Sequence, residues 1–547
     1  MRRLPRLPAL LLFVFCTLSS SFARAAGPAA PGLGFNAWQS EADRSEDPEP
    51  PEFRLINYFL TRLSVTDVLA NPAGLRGVSL GPIGLPAGSI VGTVPEAVFY
   101  VEQRWIPVVS FAPHFVDGLA QFNAMLEVDF SWGIQANTAQ QNQGGAFNAD
   151  QLNIQTKNVN VALYPTRNPL QLSVVLGTHP IYDNVRDSTR TSVFDIARTG
   201  YKLSFVGSDG TGISAFGRAG DFRGKASFVF LNAGQPRAAS EGDPKFEFAL
   251  LGMLDAQYTL QPGTHLGLSL WHLRDDTQGF GDLFSNIVRP GPSSTGLPAY
   301  VGTPRFPINR ATGWVQYAGA FFDHNIDFLH GPFGASGFVM MNVGEYASQA
   351  ESIGEGQLGE LSVLGGAANL ELMYNHGKTT RDVITLEGMF STSDDDPTDE
   401  DYTGAFTMNF YGLPGATWFN HKTLLLFPFT TVVSNYTGAV TDLSNQGAGL
   451  LSGILSARMD LIPYVLNAKV GGAIGYSGAA LPSLDPEVER GTFIGAEVNA
   501  ELIWTVRFLM DVGLHAGYMF RGDFYDGVAN VEEDPWGLWT TFTWYAF

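Results

Sequence analysis

One type of segment recurs along this chain and narrows its possible folds more than any other feature. In residues 121–135, Phe122, Ala124, Leu126, Val128, Phe130, Trp132 and Ile134 share one parity, and Gln121, Asn123, Glu127, Asp129, Ser131 and Gln135 share the other. Side chains alternate across a strand, so the segment has one face fit for hydrocarbon and one fit for water. Phe248, Leu250, Leu254, Ala256, Tyr258 and Leu260 stand in the same way against Glu247, Asp255, Gln257 and Thr259. Leu370, Leu372 and Tyr374 oppose Asn369, Glu371 and Asn375; Ile384, Leu386 and Phe390 oppose Arg381, Thr385 and Glu387. Ile494, Val498, Leu502 and Trp504 oppose Glu497, Asn499 and Glu501; Phe508, Met510, Val512, Leu514, Tyr518 and Phe520 oppose Asp511 and His515.

Alternation alone leaves two architectures open. In a soluble sandwich or lipocalin-like barrel the apolar face points inward, and in a membrane barrel it points outward. Three features favour the membrane: the length of 547 residues, an export signal, and Trp or Tyr near apolar strand ends (Trp132, Tyr258, Tyr374, Trp504, Tyr518), as in an interfacial girdle. The signal is read from Met1-Arg-Arg-Leu-Pro-Arg6, the apolar stretch Ala9 to Phe15 and Ala23-Arg-Ala25, which predicts cleavage after Ala25. Cys16, the one cysteine, lies inside the removed segment, so the mature chain has no disulfide to rely on. Residues 26–52 are rich in Pro and acids and read as a flexible extension. The expectation for 53–547 is an all-β fold, a single transmembrane antiparallel barrel of about 18 strands, within about two. Residues 53–69 fit a first strand or a short helix equally well.

The last twelve residues, from Trp536 to Phe547, predict the closing strand. A C-terminal Phe with an aromatic two positions before it resembles the closing strand of bacterial outer-membrane barrels. This strand should pair with 508–520 on one side and with an early strand near Tyr58 or Ala97 on the other. Phe542 and Trp544 are read as its luminal face, packed against an inward loop.

The charge excludes several functions. There are 32 Lys and Arg against 53 Asp and Glu, and removing residues 1–25 takes away Arg2, Arg3, Arg6 and Arg24 and no acid, so the mature chain carries −25. Such a balance excludes nucleic acid as a partner, and also a polybasic membrane-surface role. A barrel of this size is too wide for wall side chains to fill, so its lumen must hold water or an inserted loop. A channel is the function that follows. Expected pore-lining acids are Glu127, Asp129, Glu371, Glu387, Glu497, Glu501 and Asp511, with Glu247 and Asp255 on the same parity and His515 as a neutral polar neighbour. Their combined field favours cations or neutral solutes, although some acids will pair across strands. Residues 177–200 form either a surface loop or an inward constriction, in which Arg186, Arg190 and Arg198 would contact solute.

No catalytic or metal motif emerges. His179, His376, His421 and His515 are scattered without a companion motif, and there is no phosphate loop and no H-E-x-x-H. The acidic run from Ser393 to Asp401 offers oxygen ligands but lacks the glycine and terminal glutamate of an EF-hand, so it reads as a solvated extracellular loop facing lipopolysaccharide. No cofactor is expected.

Three stretches resemble the alginate-export type of outer-membrane porin: the acidic run followed by Phe406, Tyr411 and His421; His515-Ala-Gly-Tyr-Met-Phe-Arg-Gly-Asp523; and Gly177 to Arg198 with its Phe194-Asp195 pair. The resemblance implies a barrel of about 18 strands passing polysaccharide, in partnership with periplasmic export machinery. It departs from that type in charge, since a conduit for a polyanion should be basic. A neutral polymer, or uptake of small polar solutes, therefore fits the chain better than alginate.

Overall fold

The structure is a computed structural model and describes residues 52–68, 93–133, 149–168, 171–182, 205–233, 248–276, 278, 306–396, 398–409, 423–427, 443–480, 487–507, 509–526 and 533–546. In chain order its strands are β1 (Phe53–Val68), β2 (Thr93–Phe111), β3 (Ala120–Gly133), β4 (Ala149–Leu163), β5 (Leu172–Tyr182), β6 (Val206–Ala219), β7 (Phe222–Ala233), β8 (Phe248–Gln261), β9 (Thr264–Asp275), β10 (Ala311–His324), β11 (Phe333–Ser348), β12 (Glu360–Asn375), β13 (Val383–Ser391), β14 (Asp401–Tyr402), β15 (Met408–Asn409), β16 (Leu450–Ile462), β17 (Leu466–Tyr476), β18 (Phe493–Arg507), β19 (Met510–Arg521) and β20 (Trp536–Ala546). Among the described residues, 18 of these strands form one closed antiparallel ring, and the two-residue β14 and β15 lie parallel against β12 and β6.

Closure is made where the terminal strand meets the first. Tyr58 stands opposite Tyr545 and Ser64 opposite Trp539, while the other edge of β20 pairs with β19, His515 opposite Trp539. The expected seam is therefore present, and 53–68 is strand rather than helix. At the loop end of the seam, Asp67 accepts the backbone N–H of Trp536 at 2.7 Å. A ring without free edges satisfies every strand's hydrogen bonds internally, as hydrocarbon requires.

The two ends of the barrel differ. Connections at one end are tight, such as residues 220–221 between β6 and β7 or 262–263 between β8 and β9. At the other end they are long: 183–205, 276–310 and 392–449. In outer-membrane-type barrels the short turns face the periplasm and the long loops the exterior. One turn is clipped by Asp382, which accepts N–H bonds from Lys378, Thr379 and Asp460 at 2.7–2.8 Å. Burial pushes this carboxyl up, but those backbone donors outweigh it and hold it below the usual carboxylate range.

Exposure decides between inside-out and outside-in. Leu254, Leu268 and Leu270 are 61–65% exposed on the outer face, whereas Glu387 and Glu497 are 1% exposed on the inner one. Outward leucines on strand after strand around a closed ring make a continuous apolar belt, which water would not tolerate and lipid would. Aromatic pairs mark both rims: Phe222–Tyr258 and Phe333–Tyr374 at the turn end, Tyr476–Phe493 and Tyr518–Phe520 at the loop end, each with ring centroids 5.0–5.1 Å apart.

Two face assignments need correcting. Trp539 is 2% exposed and luminal, with the Arg62 guanidinium 4.9 Å over its ring. By alternation Phe542 and Trp544 point outward, Trp544 is 44% exposed, and Phe542 packs on outward Phe59 at 6.4 Å. The proposed contact of those two with an inward loop is therefore excluded. Ile494 is also not on the outer face with Val498. The β17–β18 register slips between Gly475 and Tyr476, Gly495 takes φ 155°, and this bulge turns Ile494 into the lumen, where it is fully buried.

Candidate functional site

The lumen is not an empty bore. Phe205, Phe306, Tyr402, Phe406, Leu425, Leu426, Phe427 and Leu443 come from loop-end connections, yet each is at most 2% exposed and packs with luminal wall residues such as Tyr317, Phe338 and Tyr346. Phe205 sits 6.2 Å from Tyr317 and 6.3 Å from Phe338. Phe406 stacks on Tyr346 at 6.0 Å, its N–H donates to the Asn342 side chain at 3.1 Å, and its carbonyl accepts from the Tyr317 hydroxyl at 3.1 Å.

The long β13–β16 connection is attached at several points around the ring. Asp401 and Tyr402 pair with β12, and Met408 and Asn409 with β6. Residues 423–427 are held by β18, which is separated from β6 on the shorter side by β5, β4, β3, β2, β1, β20 and β19. Glu497 makes the β18 attachment. One carboxylate oxygen accepts the Leu424 N–H at 2.7 Å and the Asn499 amide at 2.7 Å; the other accepts Leu425 N–H at 2.9 Å and Leu426 N–H at 2.6 Å. Three successive amides converge on one acid because Thr423 closes the turn, its hydroxyl accepting the Phe427 N–H at 2.9 Å and donating to the Phe427 carbonyl. Glycines provide the space. A Cβ at Gly517 would lie 3.3 Å from Leu424, and one at Gly365 would strike the Gly404 carbonyl at 2.0 Å. In a strand, glycine at luminal parity allows this close backbone approach.

Of the expected pore acids, Glu371, Glu387, Glu497, Glu501 and Asp511 lie on luminal strand positions, as does His515, but few form a bare charged wall. Glu501 is bonded to the Lys469 ammonium and to His515 Nδ1 at 2.6 Å, and His515 Nε2 lies 2.9 Å from the Thr541 hydroxyl. Asp255 pairs with Lys225 at 2.9 Å and accepts from Ser269 at 2.5 Å and the Trp271 indole at 2.9 Å. Asp511 accepts from the Thr505 hydroxyl at 2.7 Å. Glu371 and Glu387 face each other across β12–β13, with the Asn369 amide donating to Glu387 at 2.8 Å. Glu497 serves as an anchor rather than as part of a field. The side chains of Glu127 and Asp129, and all of Glu247, lie outside the described residues.

The basic loop is placed only in part. Gly177 to Tyr182 belong to β5, so the connection starts later than expected, and Arg186, Arg190 and Arg198 lie outside the described residues. Its far end, Phe205, is inside the lumen.

Sequence reasoning missed the companions of two histidines. Nδ1–H of His179 donates to the Gly177 carbonyl at 3.0 Å and Nε2 faces the Ser214 hydroxyl at 2.7 Å, with Ser227 2.8 Å beyond. Ser214 is 1% exposed, so this chain of hydroxyls satisfies the wall and cannot reach a substrate. His265 Nδ1 lies 2.7 Å from Asp323 near the turn end. In the acidic loop, burial and repulsion from Asp399, Asp395 and Asp396 push Asp394 up to about 6 against one opposing N–H bond from Asp396. Among the described residues no grouping of three or more His, Cys, Asp or Glu could hold a metal ion.

No protein-family model matches the chain and no curated protein does, so the alginate-export resemblance finds no support there. Solved structures do align along most of its length. Pseudomonas aeruginosa OpdQ aligns at 8% identity over 91% of this chain and 99% of that one, with a TM-score of 0.44. Pseudomonas aeruginosa OccK9 (OpdG) aligns at 12% over 90% and 98%, TM-score 0.45, and a BenF-like porin from Pseudomonas fluorescens Pf-5 at 11% over 90% and 99%, TM-score 0.44. Likenesses this weak add nothing to the argument, and the functional reading rests on the barrel's own geometry.

Proposed function

We propose that this chain is an outer-membrane channel that admits small polar solutes. The observation that carries the reading is the pair of inward segments, Tyr402–Phe406 and Thr423–Phe427, whose Tyr402, Phe406, Leu425, Leu426 and Phe427 are buried on the lumen wall of an outer-membrane-type barrel. A conduit for a threaded polymer needs a clear bore, whereas a narrowed one lined by paired polar groups suits single small solutes. Export of polysaccharide with periplasmic machinery is therefore the weaker reading of this lumen. The acid excess of the chain favours neutral or cationic solutes. Arg186, Arg190 and Arg198 belong to the connection that delivers Phe205 into the lumen, and they are the basic residues proposed to meet solute.

Proteoliposome swelling with sugars of graded size tests this reading. Monosaccharides are expected to enter and long oligosaccharides to be excluded. Equal passage of both would contradict the narrowing, and passage of neither would contradict the channel.

A further inference from the structure

The outer wall carries a surface that lipid alone would not select. Across β6–β12 the lipid-facing side is hollowed into a groove of about 1040 Å³. Small residues Ala215, Ala226, Gly252 and Ala318 line it among larger neighbours such as Leu270 and Met341. Beside Gly252 the belt is polar: His272 and Gln316 stand directly opposite each other across β9–β10, both exposed. Among the described residues neither side chain makes a hydrogen bond, although the His272 ring stacks 6.3 Å from Trp314. Outward polar groups on the β1–β2 wall behave differently. Trp105 donates to Asn57 at 3.0 Å and Gln103 to Thr61 at 3.3 Å, so that wall is satisfied within itself. Polar side chains left open toward hydrocarbon are costly and mark a partner.

We infer that this groove is where a second copy of the chain docks in the plane of the membrane. Small residues let two walls approach closely, and side chains that both donate and accept can bond across the contact. Gln316 and His272 each carry both functions. One row nearer the loop end, Arg274 and Glu345 flank Trp314 on the outer face. Glu345 is exposed and has no cation within reach among the described residues, while Arg274 pairs with Asp276 at 2.6 Å. A patch bearing both signs at one height complements a copy of itself, whereas acyl chains would offer His272 and Gln316 nothing.

Gly252→Trp tests the inference. A Cβ there would meet only the His272 carbonyl, at 3.9 Å, so the indole fills the groove without disturbing the wall. The chain is extracted directly into native-lipid nanodiscs and its mass measured. The wild type is expected at a multiple of the 59.2 kDa chain, less any removed leader, and Gly252→Trp at a single chain with unchanged conductance per channel. Ala318→Trp should do the same, and heat-modifiable gel migration confirms that each variant is folded. A wild-type single chain, with or without bound lipid, or a multimer that survives both substitutions, would overturn the inference.

Discussion

Replacing Glu497 with Gln is expected to raise single-channel conductance in planar bilayers and to turn a steady open level into a fluctuating one. The carboxylate accepts four hydrogen bonds, three from the successive amides of Leu424, Leu425 and Leu426. A Gln side chain presents one oxygen and an NH2, so two of the four donors, at least one of them a backbone amide of the segment, lose their acceptor and face a donor. Hydrogen bonds to a charged group are worth about 1.5–3 kcal/mol each, so losing one or two of the three amide bonds, and the charge behind the rest, loosens the segment's hold on β18. Glu497→Asp, which keeps the charge on a shorter stem, should lie between Gln and wild type. An unchanged conductance in Glu497→Gln would mean that this segment does not limit the bore.

The second large effect concerns the wall itself. Lys469 and Glu501 are 3% and 11% exposed, and His515 completes the cluster. Truncating Lys469 to Ala leaves a buried carboxylate with only the imidazole, and removing one partner of such a pair costs about 3–5 kcal/mol. The expected readout is a lower urea midpoint for loss of heat-modifiable barrel. The Lys469→Met/Glu501→Gln double variant, with no charge left uncompensated, should recover a good part of that loss. Additive damage in the double variant would contradict the coupling.

The wall was legible in the sequence because strand geometry has a period of two and the lumen and lipid demand opposite chemistry. The faces of β8, β12, β13 and β19 follow directly from alternation. Legibility failed where that contrast disappears. Trp539 and Thr541 on one parity, and Thr540, Phe542 and Trp544 on the other, mix aromatic and hydroxyl groups on both faces, so the orientation of β20 had to come from pairing with Arg62 and His515. It failed again at Ile494, where a bulge adds one residue and reverses parity for reasons that lie in the β17–β18 register. The inward segments have no periodicity of their own. Leu424 to Phe427 read as a short apolar run, and their anchor lies more than seventy positions away on β18. One signal for them does exist: glycines at luminal parity, such as Gly365 and Gly517, mark where a second backbone comes close. The His179–Ser214 contact needs the β5–β6 register, which sets His179 opposite Gly210, two luminal positions along β6 from Ser214.

The central claim is that 423–427 sits on the lumen wall and narrows the channel, and a cross-link reads it directly. Cys16 is the one cysteine of the chain, so in a Cys16→Ser background Leu424→Cys with Gly517→Cys supplies the only pair of thiols. An added Cβ at Gly517 lies 3.3 Å from that of Leu424, close to the separation of about 3.5–4.5 Å that a disulfide spans. Mild oxidation should lock the pair in high yield, seen as a loss of two hydrogens by mass spectrometry, and in a Glu497→Gln background the bond should hold conductance at the wild-type level until reduction. Free thiols after oxidation of a folded barrel, or a bond that forms without any hold on conductance, would contradict the account.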